Sequence, residues 1–404
     1  MSGSEEALTP VHTALVAVDI AASTRRTNPA RVEVRSALYR ALNEGLRRAG
    51  VGEPGAVHFE DRGDGALVVL GPGFPKNRLL DDFVPGLFAL LSEYNVGREE
   101  RLRLRVAIHA GEVLFDERGT AGDAVESVFR LLDSAEVRAA TSLALGDLVV
   151  GVSAPIRDGV IEAGLPGVDP ASYRPVTVEF KGTSFPAWIY IPGVTGPSPQ
   201  PRSGPVDGPG DLLHRSILLV DIEDSDSRPD DVKWRHRAEL RSIVFGAVAD
   251  IGVAPEAFTA KDTGDGWRVL FLPEVAKNRL AGPLVAALVR RLVRYNDAAA
   301  PGERMRLRTV LHAGELLWDG SDFFGSALNE ASWLVDSDEL RECLALRAAP
   351  AVLMVSDVIY NGVVRHGYGE IDPERYEPRL VRAKKRDLAT WVCWLGGDLA
   401  GDRA

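Results

Sequence analysis

The chain carries ALVAVDI at residues 14–20 and repeats it as SILLVDI at residues 216–222. Three further pairs follow in the same order: EDRGDG (60–65) with KDTGDG (261–266), KNRL (76–79) with KNRL (277–280), and IHAGE (108–112) with LHAGE (311–315). The offset between paired residues stays between 201 and 203 over this whole stretch. So constant an offset indicates that one unit has been duplicated.

A stretch rich in proline, glycine and serine separates the two copies. Residues 192–210 read PGVTGPSPQPRSGPVDGPG, a composition that cannot bury a core and is typical of an extended linker. The length of 404 residues also exceeds what one typical core holds. We therefore expect a first domain at residues 1–191, a linker at 192–211 and a second domain at 212–397.

Composition and charge exclude several classes of protein. The chain is 45% hydrophobic, and no apolar run approaches the roughly 18 residues that span a bilayer. The formal net charge of −11 is opposite to that of a general nucleic-acid binder. The first ten residues do not resemble a signal peptide, and the two cysteines fit neither a disulfide framework nor a zinc site. We expect a cytoplasmic protein that binds neither membranes nor nucleic acid.

Within each copy, strand and helix patterns alternate around a central hairpin. A β-rich run ends at Asp19 or Asp221, and a helix-period stretch such as residues 31–48 follows it. Two β-rich runs then flank Gly-Asp-Gly, and after another helix a strand ends at His109 or His312. This order predicts an α/β fold, an α+β sandwich in which helices cover a largely antiparallel sheet.

Each copy has one aspartate at a strand end and a second at a Gly-flanked hairpin tip. The two are 45 residues apart in the first copy (Asp19 and Asp64) and 44 in the second (Asp221 and Asp265). Such a pair can hold two divalent cations for phosphoryl chemistry, and the glycines let backbone approach a triphosphate. A single pair of this kind is also ordinary turn chemistry. Its duplication favours the functional reading.

Taken together, the motifs resemble those of the class III adenylate/guanylate cyclases. The motifs are VDI (18–20) through Thr24, GDG (63–65), IHAGEV (108–113), and GDAV (122–125) through RL (130–131). The resemblance implies two tandem ferredoxin-like, palm-type domains that pair head to tail as an intramolecular pseudo-dimer. It also implies two Mg²⁺ or Mn²⁺ ions, with metal-binding positions at Asp19, Ile20, Asp64, Asp221 and Asp265.

The base-reading positions of the family differ between the copies. The family's base-reading lysine corresponds to Lys261 in the second copy and to Glu60 in the first. Its partner corresponds to Asp322 in the second copy and to Gly119 in the first. Because adenylate cyclases read adenine with a Lys and Asp pair, the resemblance favours ATP and places the base readers in the second copy.

The remaining family positions are also divided between the copies. The asparagine that positions the ribose is Asn329, and Glu126 stands there in the first copy. The arginine that stabilises developing charge is Arg130, where the second copy has Trp333. Lys384 matches a late lysine of the family that helps to hold the triphosphate, and a solvated basic turn would explain it equally well. Glu126 and Arg130 also fit an ordinary i, i+4 surface ion pair, and this alternative stays open.

These residues predict one working site. Asp19 and Asp64 would act with Lys261, Asp322 and Asn329 to turn a nucleoside triphosphate into a 3′,5′-cyclic nucleotide and pyrophosphate. The second copy continues after Asp221 as IEDSD (222–226), whose carboxylates oppose a triphosphate, and its own site is expected to be degenerate. The alternative is a pseudo-cyclase that serves as a nucleotide sensor or scaffold.

Overall fold

A computed structural model describes residues 9–21, 28–51, 57–117, 119–143, 146–165, 167–180, 183–195, 210–383 and 386–396. The chain divides into two compact units. One comprises His12–Leu213 with Leu317–Phe323, and the other comprises His214–Leu316 with the rest of the chain. No helix among the described residues is long and apolar enough to cross a membrane.

The first copy forms a mixed eight-stranded sheet. Its strands are β1 (Val11–Ile20), β2 (Val57–Asp61), β3 (Gly65–Leu70), β4 (Leu104–Asp116), β5 (Gly119–Ala121), β6 (Leu148–Ser153), β7 (Arg174–Phe180) and β8 (Thr183–Tyr190). Seven of them lie in the order β2-β3-β1-β4-β6-β8-β7, and β5 pairs with β4. The pair β4–β6 is parallel, whereas β1–β3, β2–β3, β6–β8 and β7–β8 are antiparallel.

Helices cover both faces of this sheet. They are α1 (Asn28–Arg48), α2 (Val84–Asn95), α3 (Asp123–Leu132), α4 (Ala135–Leu143) and the short α5 (Ala154–Ile156), with π-helical turns at Leu79–Phe83 and Arg157–Ile161. Val16 and Val18 of β1 pack in a core with α1 and α2, and Leu15 and Ala17 pack in a second core with α3 and α4. Two buried faces explain why residues 14–18 of β1 form a continuous apolar run instead of an alternating one.

The second copy repeats this topology. Its strands are β9 (Leu212–Ile222), β10 (Phe258–Asp262), β11 (Gly266–Phe271), β12 (Leu307–Trp318), β13 (Phe323–Phe324), β14 (Ala351–Ser356), β15 (Glu377–Arg382) and β16 (Asp387–Leu395), in the order β10-β11-β9-β12-β14-β16-β15 with β13 on β12. Its helices are α6 (Asp230–Asp250), α7 (Lys277–Arg279), α8 (Val285–Ala298), α9 (Ser326–Val335), α10 (Asp338–Leu346) and α11 (Asp357–Gly362). The predicted α/β architecture is confirmed in both copies.

One predicted boundary is wrong. The sequence places strand ends at His109 and His312, whereas β4 and β12 continue to Asp116 and Trp318. Gly111 lies inside β4, and a Cβ there would lie 2.8 Å from the Cβ of Ala124 on α3. The glycine therefore lets a helix approach an unbroken strand.

Candidate functional site

Strand pairing brings Asp19 and Asp64 together in the first copy. Asp19, the penultimate residue of β1, stands opposite Gly65 of β3. The backbone N–H of Ile20 donates to the carbonyl oxygen of Asp64 at 3.0 Å. A Cβ on Gly65 would overlap the carbonyl oxygen of Val18, so only glycine allows this approach. The Gly-Asp-Gly turn thus places the second aspartate beside the first.

The second copy builds the same arrangement. Asp221 stands opposite Gly266, and Ile222 N–H donates to the Asp265 carbonyl oxygen at 3.2 Å. A Cβ on Gly266 would overlap the carbonyl oxygen of Val220. The two predicted aspartate pairs therefore each meet within their own copy, at the end of two neighbouring strands.

An arginine that the sequence reasoning did not select binds the first aspartate. Arg105, on β4, donates from Nε to Asp19 Oδ1 at 2.8 Å and from Nη2 to Asp19 Oδ2. The side chains of Arg105 and Asp19 are only 14% and 18% exposed. The repeat of RLR at residues 103–105 and 306–308 could have indicated this arginine. A charge in a buried strand costs free energy unless it has a partner, so a repeated arginine there predicts a buried acidic residue beside it.

The surroundings of Asp19 disfavour its charged form. Burial raises the pKa of Asp19, the carboxylates of Asp133 and Asp64 raise it further, and Arg105 opposes them. Two carboxylates that repel each other in a partly dry site are what a divalent cation relieves. The donors present in this pair therefore fit Mg²⁺ or Mn²⁺.

In the second copy, arginine neutralises the aspartate less completely. Arg308 reaches Asp221 Oδ2 through Nη2, while its buried Nε has no hydrogen-bond partner among the described residues. Burial, together with the neighbouring Asp265 carboxylate, raises the pKa of Asp221 to about 6 against the lowering effect of Arg308. Asp221 and Asp265 thus form the more strongly coupled pair of carboxylates.

A pocket of about 290 Å³ opens beside Asp265. Its lining residues are Ile222, Glu223, Asp224, Ser225, Ser227, Asp265, Arg308 and Arg341. Glu223, expected from the sequence to repel a triphosphate, is paired with Arg306 at 3.1 Å. Asp224 has a left-handed backbone, with φ 53, the one such non-glycine residue in the described ranges. The corresponding residues 22–24 of the first copy, and the side chain of Asp226, lie outside the described part of the chain.

Glu60 is held within the first copy. Its Oε1 accepts from the backbone N–H of Thr120 at 3.0 Å and from the Thr120 hydroxyl at 2.7 Å. Arg62 donates to Oε2 at 2.6 Å, and His58 Nε2 lies 3.1 Å from Oε1. Burial opposes the charge, but the hydrogen bonds from Thr120 and His58 lower the pKa of Glu60. Glu60 therefore ties β2 to β5.

The position of Glu60 explains why residue 119 is a glycine. The backbone of Gly119 has φ +133, and a Cβ there would lie 2.9 Å from Glu60 Oε1. An aspartate at this position, as the family's adenine-reading pair requires, would meet both obstacles. The first copy thus uses Glu60 and Gly119 for local structure.

The corresponding positions of the second copy lie on β10 and next to β13. Lys261 is exposed and stands opposite Arg268 of β11. Asp322 Oδ1 accepts from the backbone N–H of Phe323 at 2.8 Å, and the Asp322 N–H donates to Asp319 Oδ1 at 2.9 Å. Lys384 lies outside the described residues.

The helix positions divide between exposed and locally paired side chains. Asn329 is exposed on α9, and Trp333, one turn later, is half-buried. Arg130 pairs with Glu126 as an i, i+4 ion pair on α3, and its guanidinium lies 5.8 Å from the Phe180 ring. The ion-pair reading of Glu126 and Arg130 is therefore present in the structure.

His312 is buried within its copy, and His109 is half-buried within its own. Burial lowers the pKa of each to about 4. His109 Nδ1 lies 2.8 Å from the Ser153 hydroxyl. Burial and the hydrogen bond to Ser153 indicate a structural role for His109.

No family model and no curated protein sequence matches the chain. Among solved structures, it is similar to an adenylate/guanylate cyclase/hydrolase from Silicibacter pomeroyi, with 20% identity, 46% of this chain and 99% of that chain covered, and a TM-score of 0.35. It is also similar to the guanylyl cyclase Cya2, with 17% identity, coverage of 46% and 96%, and a TM-score of 0.34. A bacterial light-regulated adenylyl cyclase covers 94% of this chain and 93% of its own, with 10% identity and a TM-score of 0.32. At these TM-scores the similarity by itself assigns neither a family nor an activity.

Proposed function

We propose that the chain is a nucleotidyl cyclase, which converts a nucleoside triphosphate into a 3′,5′-cyclic nucleotide and pyrophosphate. The observation that carries the proposal is the aspartate pair in each copy, at the end of two neighbouring strands with an arginine against it. Carboxylate oxygens suit Mg²⁺ or Mn²⁺, and a guanidinium suits phosphate oxygens. The two groups together fit a metal-bound nucleotide.

Asp19 and Asp64 are the proposed catalytic pair. When bound, two Mg²⁺ or Mn²⁺ ions would supply Lewis-acid activation of the ribose 3′-hydroxyl and neutralise charge at the α-phosphate. A carboxylate oxygen accepts more than one bond, so Asp19 can keep Arg105 while it binds a cation. Ile20 could contribute only its main-chain carbonyl, since its side chain lies in the core.

Lys261, Asp322 and Asn329 are the proposed recognition residues. By the resemblance, Lys261 and Asp322 select the base and Asn329 positions the ribose, which makes ATP the favoured substrate. Lys384 is proposed to assist with the triphosphate, and Arg130 remains the candidate for charge stabilisation. These assignments rest on the match of positions in the sequence.

A nucleotide sensor without turnover is the second candidate. Trp333 stands where the second copy would need a charge-stabilising arginine, and Arg130 is engaged with Glu126. Loss of one such donor typically lowers the rate by about 10²–10³. This feature favours slow turnover or binding alone.

The deciding experiment offers the purified full chain each of the four ribonucleoside triphosphates with Mn²⁺ and measures pyrophosphate and cyclic product. We expect product from ATP, and we expect Asp64→Ala to lower turnover by at least about 10² because it removes a metal ligand. The matched variant Asp265→Ala should retain most turnover. Binding without product would favour the sensor, and neither binding nor product would refute the proposal.

A further inference from the structure

Arg341 brings a second guanidinium to the pocket beside Asp265. It is the fourth residue of α10, and its backbone N–H donates to the Ser337 carbonyl at 3.2 Å. Arg308, the other arginine of the pocket, is bound to Asp221. Arg341 therefore supplies the pocket with a cation that comes from a separate element and does not hold the aspartate pair.

The present partner of Arg341 is easily exchanged. Its Nη1 donates to Asp338 Oδ1 at 2.9 Å, and the two side chains are 51% and 84% exposed. An exposed i, i+3 pair of this kind contributes only about 0–1 kcal/mol. An anionic ligand in the pocket could take over the guanidinium at small cost.

The equivalent arginine of the first copy is placed differently. Arg138, on α4, donates to Asp133 Oδ1 at 2.6 Å. Asp133 is one of the carboxylates that raise the pKa of Asp19, so this ion pair lies beside the first aspartate site. Arg138 thus balances a neighbouring carboxylate, and it offers a matched control for Arg341.

The pocket lining combines groups for a cation with groups for an anion. Asp265 and Asp224 offer carboxylates, while the charge of Glu223 is balanced by Arg306. Arg308 and Arg341 offer guanidiniums, and Ser225 and Ser227 also line the pocket. Carboxylates bind divalent cations and guanidiniums bind phosphate oxygens, so the lining fits a ligand that contains both.

We propose that Arg341 binds the phosphate oxygens of a metal-bound di- or triphosphate in this pocket. The inference rests on the proposed function, because it takes the second aspartate pair as a cation site. It extends that function by giving the second copy a group that binds phosphate. The sequence alone suggested the opposite, because the carboxylates that follow Asp221 would repel a triphosphate. The second site is then a binding site that can respond to pyrophosphate or nucleotide.

The proposal is tested by measuring the affinity of the full chain for Mn²⁺-pyrophosphate with titration calorimetry. Arg341→Gln should weaken binding by about tenfold, the effect of one charge-assisted hydrogen bond, and Arg341→Lys should restore part of it. Arg138→Gln should change the affinity by less than about twofold. Mn²⁺ alone should bind Arg341→Gln at least as tightly as wild type, because the substitution removes a nearby positive charge.

A double-mutant cycle locates the effect. If Arg341 acts in the pocket, Arg341→Gln should add little in an Asp265→Ala background but should keep its full effect in an Asp64→Ala background. Unchanged pyrophosphate affinity in Arg341→Gln would overturn the inference, as would an equal loss of Mn²⁺ affinity. If wild type binds neither nucleotide nor pyrophosphate, the proposed function fails instead.

Discussion

The two aspartate pairs share a backbone arrangement but differ in their neighbours. In the first copy Arg105 binds both carboxylate oxygens of Asp19. In the second copy Arg308 reaches one oxygen of Asp221, and the Asp265 carboxylate adds its repulsion. The two copies therefore place the aspartates in the same positions, but the arginine neutralises them to different extents. The less completely the arginine neutralises a pair, the more a bound cation would stabilise it.

Residues 60 and 261, which the resemblance matches to a base-reading position, differ in the same way. Glu60 accepts two hydrogen bonds from Thr120, and its side chain could turn towards a ligand only by breaking this contact between β2 and β5. Lys261, at the corresponding position, is exposed. One copy has committed this position to structure, whereas the other presents a cation there. Four sets of substitutions test these contrasts, from the largest expected effect to the smallest.

Removing the arginine that binds the strand-end aspartate should give the largest difference in stability between the two copies. Arg105→Met leaves Asp19 buried without its two donors, and we expect a loss of about 3 kcal/mol in the free energy of unfolding. Arg308→Met removes a single hydrogen bond, from Arg308 Nη2 to one oxygen of Asp221, and we expect a loss of about 1 kcal/mol. Denaturant unfolding at pH 7 measures both. Equal losses would show that the two arginines compensate their aspartates equally.

Neutralising Asp221, the strand-end aspartate of the second copy, should stabilise the protein. The pKa of Asp221 is about 6, above its ordinary value of 3.8, so the stability that this group contributes is fully present below pH 4 and is lost as pH rises through 6. Asp221→Asn should therefore be more stable than wild type by about 2 kcal/mol at pH 7. The difference should vanish near pH 4.

Thermal unfolding across this pH range checks the effect. Asp19→Asn should gain less, because Arg105 holds both oxygens of that carboxylate. Excess Mn²⁺ should raise the melting temperature of wild type more than that of Asp221→Asn, since a ligand of the native state stabilises it. A gain that persists at pH 4 would contradict the electrostatic explanation.

Truncation of Glu60 should destabilise the first copy moderately. Glu60→Ala leaves the N–H of Thr120 and its hydroxyl without their acceptor, at a cost of about 1–2 kcal/mol. Lys261→Ala, at the corresponding exposed position, should cost less than about 0.5 kcal/mol. Chemical denaturation compares the two. A larger loss from Lys261→Ala would reverse the assignment of structural and functional roles.

The smallest effect is expected at Arg130. Its pair with Glu126 is exposed, so Arg130→Ala should cost no more than about 0.5 kcal/mol. A turnover assay of the same variant shows whether Arg130 has a second role. Loss of turnover without loss of stability would support its assignment as a charge-stabilising residue, and unchanged turnover would leave only the surface ion pair.

The sequence by itself determined the duplication and the meeting of the aspartates. Alternation of strand and helix patterns predicted the α/β architecture, and each Gly-Asp-Gly turn lies next to the strand that ends at the first aspartate. Local patterns encode the strands, helices and turns, whereas the meeting of Asp19 and Asp64 also requires β1 to pair with β3, which the sequence indicated only through the repeated motifs and their resemblance to a known family. The lengths of β4 and β12 were missed, since both strands continue past the histidines to Asp116 and Trp318.

Only the tertiary structure decided the partners of the charges. Arg105 lies 86 residues from Asp19, Glu60 lies 60 residues from Thr120, and the pocket joins Arg341 to Asp265. Such contacts depend on strand order, side-chain direction and burial, none of which a spacing rule contains. Burial then sets the free-energy cost of each charge, and that cost distinguishes two sites whose aspartate motifs are nearly identical.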